Sequence, residues 1–286
     1  MHKSTRLRAL LWSIAGIAVC AIAVGLAGTV TRAGMFSPSS TALSFSRATS
    51  TSESQVRSQY KVVHKTTPSA VRAIYMTQCA VGTPSFRKDL VGLIDTTELN
   101  AVVIDIKDYT GRLAFTPADH SLKESVSDAC GARDMEAFVK ELHDKNIYVI
   151  GRITVFQDPF YTKLHPELAV KRLSDKTANW KDHKGLSFID VCAKPYWDYI
   201  VKISKASYDI GFDELNFDYI RFPSDGNMKD IWYPVSGNKT KSDVMRSFYK
   251  YLYDSLSPEG ITISLPILEA VLNAGLSSVT PSPTAP

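Results

Sequence analysis

The chain has 286 residues, 44% of them hydrophobic and 22% charged, with 33 Lys+Arg against 29 Asp+Glu and a formal net charge of +4. This composition excludes a wholly disordered chain and a polytopic membrane protein. The charge is unevenly placed. Eight basic residues but only one acid, Glu53, fall in the first 70 positions, so the remainder carries about −3 with no basic run, and no nucleic-acid partner is expected.

The first element is an uncharged apolar run, Ala9–Val30, preceded by Lys3, Arg6 and Arg8. Its 22 residues, at about 1.5 Å rise each, suffice to cross a hydrocarbon core about 30 Å thick. A secretory apolar core is shorter and ends at small residues, whereas Thr29-Val30-Thr31-Arg32-Ala33 follows here. The run is read as an uncleaved signal anchor over residues 1–33. The basic residues before it place the following chain outside the cell; cleavage would instead release that part as a secreted protein. Residues 34–70 are rich in Ser and Thr and read as a flexible linker. Cys79, Cys130 and Cys192 then lie on the outer side. One disulfide with a free thiol and three buried thiols are both open readings.

From residue 71 short apolar runs alternate with amphipathic ones. Strands are expected at Val71–Thr77, Ala101–Lys107, Ile147–Val155, Glu214–Ile220 and Ile261–Leu265, and helices at Ser85–Ile94, Arg133–Lys145, Pro195–Tyr208 and Asp243–Leu256. The strands are β-branched, aromatic and apolar on both faces, as strands covered by helices are. Such strand–helix repetition predicts an α/β fold with a parallel sheet, open or closed into a barrel. The first strand runs into Gln78-Cys79-Ala80-Val81-Gly82 rather than a glycine-rich turn, so the dinucleotide fingerprint is absent. The chain also lacks a Walker loop, a G-x-S-x-G elbow and H-E-x-x-H. Its six His residues are scattered, so neither a metal nor another cofactor is expected.

Polar residues gather where the proposed strands end: Asp105, Lys107 and Asp108; Arg152, Thr154 and Asp158; Asn216, Asp218 and Arg221. A period of two puts Asn216 and Asp218 on one face and Leu215, Phe217 and Tyr219 on the other, and pairs Asp105 with Lys107. In a (β/α)₈ barrel this rim builds the active site. Glycoside cleavage needs two carboxyl groups there, one donating a proton and one acting as nucleophile or base. Trp180, Trp197, Trp232, Tyr161 and Tyr233 lie in or near the intervening segments and are candidate sugar platforms. Ordinary ion pairs closing strand ends are the competing reading of Asp105–Lys107 and Asp218–Arg221. Asp213 and Glu214 are read as capping or solvated groups at the strand's entry.

Five stretches carry a family resemblance: Val71–Thr77, Glu98–Asp108, Ile150–Pro159, Pro166–Val170 and Gly211–Pro223, in that order. They resemble the bacterial "putative glycoside hydrolase domain" family of (β/α)₈ barrels. The resemblance implies a hydrolase of cell-wall or extracellular polysaccharide, with Asp218 as the leading catalytic candidate; the strand-end carboxylates add Asp105 as its candidate partner. The substrate-binding candidates are Tyr75, Lys107, Arg152, Asp158, Trp180, Asn216, Tyr219 and Arg221. After the fifth strand such a family member presents an Asp followed by an aromatic-Gly pair, whereas this chain reads Leu265-Pro266-Ile267-Leu268-Glu269. About five βα units are therefore expected over 71–268, followed by an apolar segment and a Pro/Ser/Thr tail over 269–286. A non-catalytic glycan-binding barrel remnant and an inactive fragment are the alternatives.

Overall fold

The computed structural model describes residues 62–265; the apolar run Ala9–Val30, most of the Ser/Thr-rich stretch and the chain from 266 onward lie outside the described residues. The chain divides into two compact units, Met1–Gln55 and Val56–Pro286, and every described residue belongs to the second. Among the described residues no helix is long and apolar enough to cross a membrane.

In chain order the elements are β1 (Ala73–Met76), α1 (Gln78–Val81), α2 (Pro84–Thr96), β2 (Ala101–Lys107), α3 (Met135–Asp144), β3 (Tyr148–Thr154), α4 (Tyr161–Leu164), β4 (Lys171–Arg172), α5 (Lys194–Asp209), β5 (Glu214–Asp218), β6 (Ile231–Trp232), α6 (Lys241–Leu256) and β7 (Thr262–Ser264). Five strands pair in parallel in the order β1-β2-β3-β5-β7. The α/β class with a parallel sheet is thus observed, and its five strands fall where the apolar runs placed them.

Alternation sorts the side chains. Val102, Ile104, Val149, Ile153, Leu215 and Phe217 join the helices in the main core. In α3 the stripe Met135, Phe138, Val139 and Leu142 is buried against this layer, the apolar face that its three- and four-residue spacing demands. On the sheet's other face Ala101, Tyr148 and Ile150 form a small separate cluster. Paired strand residues share a face, so Asp105, Arg152, Asn216 and Ser264 line up across four strands.

The sheet's lower end is fastened by a buried carboxylate. Asp213 is only 3% exposed and accepts the Val149 N–H at 2.8 Å, the Lys65 N–H at 2.7 Å and His143 Nε2 at 3.0 Å. It is therefore an internal clamp, not the solvated entry group that its position suggested. Unpaired strand and coil N–H groups are costly when buried, and Asp213 satisfies two of them. Residues 62–70, read as the end of the linker, contribute to this junction. His64 stacks on Tyr208 with ring centroids 3.6 Å apart, and Thr67 shares a hydrogen bond of 2.9 Å with Tyr148.

At the upper end the segment between β2 and α3 is sewn to α1. Cys79 and Cys130 form a disulfide and Cys192 is free, which resolves the cysteine alternatives. Gly131 donates to Gln78 O at 3.1 Å and Gln78 Nε2 to Arg112 O at 2.6 Å. Gly131 has φ +111 and its missing Cβ would run into Ala114 backbone, so only glycine suits this crossing. The bridge spans 51 residues, and closing a loop of that size removes roughly 4 kcal/mol of denatured-state entropy. Replacing both cysteines by serine is expected to lower the unfolding free energy by about 2–4 kcal/mol, measured by urea denaturation of the oxidised wild type and the double variant.

Candidate active site

Arg152 stands on β3 between β2 and β5, and its guanidinium holds a carboxylate from each. Nη1 donates to Asp105 Oδ1 at 2.7 Å, while Nε and Nη2 donate to Asp218 Oδ2 at 2.9 and 2.6 Å. Asp218 also accepts the Tyr219 N–H at 2.7 Å, and the Tyr75 hydroxyl donates to Asp105 Oδ2. Four strand ends thus converge on one charge-assisted network, the strong form of hydrogen bonding. The two carboxylates differ in access: the Asp105 side chain is 5% exposed and that of Asp218 32%.

Burial raises the Asp105 carboxyl above the usual carboxylate range, although its hydrogen bonds to Tyr75 and Arg152 oppose the shift. Burial works against the Arg152 charge, but the bonds to Asp105 and Asp218 outweigh it and strengthen its hold on the proton. Tyr75 is pushed up as well, by burial and by its bond to the Asp105 carboxylate. The network therefore keeps one cation fixed between two acids in unlike environments, an arrangement that can separate acid from base roles.

This network forms the floor of a cleft of about 680 Å³ lined by Tyr75, Asp105, Asp108, Tyr109, Arg152, Gln157, Tyr219 and Arg221. Tyr219 reaches it against the strand alternation, which had sent it under the helices. Its φ of 55 is left-handed, unusual for a bulky residue, and this turn swings the ring over the rim. Arg152 and Arg221 lie 5.9 and 5.1 Å from its centroid. Asn216 sits one level lower and donates to Ser264 Oγ at 3.0 Å.

Three candidates lie elsewhere. Lys107 does not share a face with Asp105, because the β2–β3 register shifts between Asp105 and Lys107. This bulge throws Lys107 to the helix side, where Ile106 packs over the space left by Gly151. There Lys107 is fully buried, with Nζ 2.9 Å from Asp158 Oδ2 and 2.7 Å from Thr154 O. Asp158 is equally buried and also accepts the Tyr196 hydroxyl at 2.9 Å; the pair braces the rim from beneath and does not line the cleft. Trp180 is 2% exposed. It donates to Asn227 O at 2.9 Å and packs on Phe188, forming the core of the small antiparallel β4–β6 unit. Trp197 and Tyr161 are likewise interior residues. Tyr109 and Gln157 line the cleft but escaped the sequence reading, since both sit just past a strand, where alternation no longer applies. Among the described residues no group of three His, Cys, Asp or Glu side chains is placed to hold a metal ion.

Removing one partner of a buried ion pair strands the other charge, typically at a cost of about 3–5 kcal/mol. Lys107→Met is accordingly expected to destabilise the fold by about that amount. The Lys107→Met/Asp158→Leu double variant should recover a large part of the loss, as read from chemical denaturation.

A comparison with family models matches residues 73–277 to the "Putative glycosyl hydrolase domain". Among solved structures, the chain is similar to a hypothetical protein from Ruminiclostridium thermocellum. That match has 32% identity and a TM-score of 0.60, over 67% of this chain and 96% of the other. A chitobiase from Flavobacterium johnsoniae aligns with TM-score 0.51 and 13% identity, over 68% of this chain and 31% of that enzyme. An exo-β-N-acetylglucosaminidase from Vibrio harveyi aligns with TM-score 0.50 and 14% identity, over 68% and 35%. At such identities these two share the fold alone. No curated protein matches the chain. The match covers well over half of the sequence and coincides with the barrel-like sheet and its rim carboxylates: the chain belongs to the family described as a putative glycosyl hydrolase domain.

Proposed function

We propose that the chain is a glycoside hydrolase that cleaves a polysaccharide outside the cytoplasm. The observation that carries this reading is the Arg152 bridge between Asp105 and Asp218 on the cleft floor. Asp218 is the accessible carboxylate and acts as nucleophile or base on the anomeric side. Asp105, whose proton is held more firmly because burial disfavours its charge, is the proton-holding partner, and it lines the cleft beside the Tyr75 hydroxyl that donates to it. Two carboxyl groups in unlike environments are what glycosidic cleavage requires.

The Cys79–Cys130 disulfide supports an oxidising compartment, in keeping with a membrane anchor at Ala9–Val30 and an outward-facing domain. One observation favours a second reading. Arg152 pairs with both carboxylates, and in this reading it neutralises them, so that the cleft holds glycan without cutting it. Turnover separates the two readings.

In the hydrolase reading, the full chain incubated with a polysaccharide panel releases reducing ends, and Asp218→Asn lowers the rate by about 10³-fold or more, the scale of an acid–base or nucleophilic group. Equal release by wild type and variant would remove Asp218 from the chemistry, and binding without release by the wild type would favour the second reading. The pH profile gives a further sign. Activity that needs protonated Asp105 falls as pH rises through its raised pKa. Tyr75→Phe deletes a bond that favours the charged form, so it should move that limb to higher pH.

A further inference from the structure

The cleft holds two cations that the hydrolase chemistry leaves unused. Arg221 follows β5 and Lys184 lies in the segment between β4 and α5; both line the cleft. Their loops touch, since the missing Cβ of Gly226 would meet the Trp180 ring and the Asp182 backbone. Arg221 is held in place by Ser224 and by the Tyr219 ring 5.1 Å beneath its guanidinium. That ring stands on a left-handed residue, and such strain concentrates where geometry serves function. Among the described residues neither cation forms an ion pair with a carboxylate.

The outer acids of the same cleft have local tasks. Asp108 Oδ1 accepts Thr110 N–H at 2.9 Å, and Asp182 Oδ1 accepts Lys184 and Leu186 N–H at 2.9 and 2.8 Å. Asp225 sits 3.4 Å from His183. The cleft thus presents a planar guanidinium held by Ser224 and Tyr219 and an exposed ammonium from the adjoining loop, neither of them in an ion pair among the described residues. An arginine fork of this kind matches a carboxylate or an ester oxyanion in two-point contact.

We propose that Arg221, assisted by Lys184, forms a subsite for an anionic substituent on the sugar next to the cleaved bond, so that the substrate class is an acidic polysaccharide. The proposal rests on the hydrolase reading of the cleft, but binding tests it separately. Uronic acids and phosphate esters share the required chemistry, and the assay tells them apart.

The full chain carrying Asp218→Asn, which keeps the glycan intact, is titrated with polygalacturonate, alginate and hyaluronan, each beside its carboxyl-reduced form, and with a phosphomannan beside its dephosphorylated form. At least one acidic member should bind about tenfold or more tightly than its neutral counterpart, with an affinity that falls as salt rises. Arg221→Met should erase that preference, and Arg221→Lys should restore only part of it, because the fork and the stacking are lost. Equal affinity for every acidic and neutral pair, or an acid preference untouched by Arg221→Met, overturns the subsite. In wild-type background the same Arg221 variants should raise KM for the preferred acidic glycan by a larger factor than KM for its neutral form. Should Asp218→Asn fail to fold, unchanged KM values in that measurement overturn the subsite. Arg221-dependent binding with no hydrolysis by the wild type would sink the hydrolase reading and leave the subsite standing.

Discussion

Three strands meet at one guanidinium. Arg152 on β3 reaches Asp105 on β2 and Asp218 on β5, and a fourth strand joins through Tyr75. A parallel sheet is held by its backbone ladder and by helices on its outer face, but nothing in that ladder fixes how the inner side chains sit. The Arg152 network does so. It bridges the two acids, aligns β2, β3 and β5 at the level of the cleft floor, and leaves Asp218 as the more exposed of the two. Everything proposed about chemistry depends on this arrangement, because removing the cation would leave the buried Asp105 and the partly exposed Asp218 without their shared partner.

Around that centre the other parts act as braces. Lys107 and Asp158 support the rim from the helix side, and the Cys79–Cys130 bridge with Gly131 fixes the long segment after β2 against α1 beside the cleft. Asp213 performs the corresponding task at the lower end. The small β4–β6 pair, built on Trp180 and Phe188, steadies one wall, and from it comes the loop with Lys184. Stability and site geometry therefore share the same residues.

Much of this was legible in the sequence, for a physical reason. Ala101–Lys107 is found with the bounds expected of it, because seven residues that are apolar at nearly every position have only one well-covered place to go. The α3 stripe and the carboxylates Asp105 and Asp218 follow from simple periodicity. What failed was alternation carried past an irregularity. The bulge before Lys107 reverses its face, and the left-handed backbone at Tyr219 reverses another; neither has a local sequence signal, since Ile106 and Tyr219 are not residues that advertise a bulge or a positive φ. Trp180 was misjudged because β4 and β6 are two residues long, too short to show a period. Asp213 reads as a surface acid until Val149 and Lys65, 64 and 148 positions away, are seen to bond it.

The most direct test of the central claim is a double-mutant cycle on the two acids that Arg152 joins. Unfolding free energies are measured for wild type, Asp105→Asn, Asp218→Asn and the double variant. If one guanidinium serves both carboxylates, the two substitutions are coupled, with an interaction energy of roughly 0.5–3 kcal/mol, the range found for residues sharing one ion-pair network. Strict additivity of the two single effects would show that Asp105 and Asp218 act independently and would contradict the Arg152 bridge as the organising feature of the site.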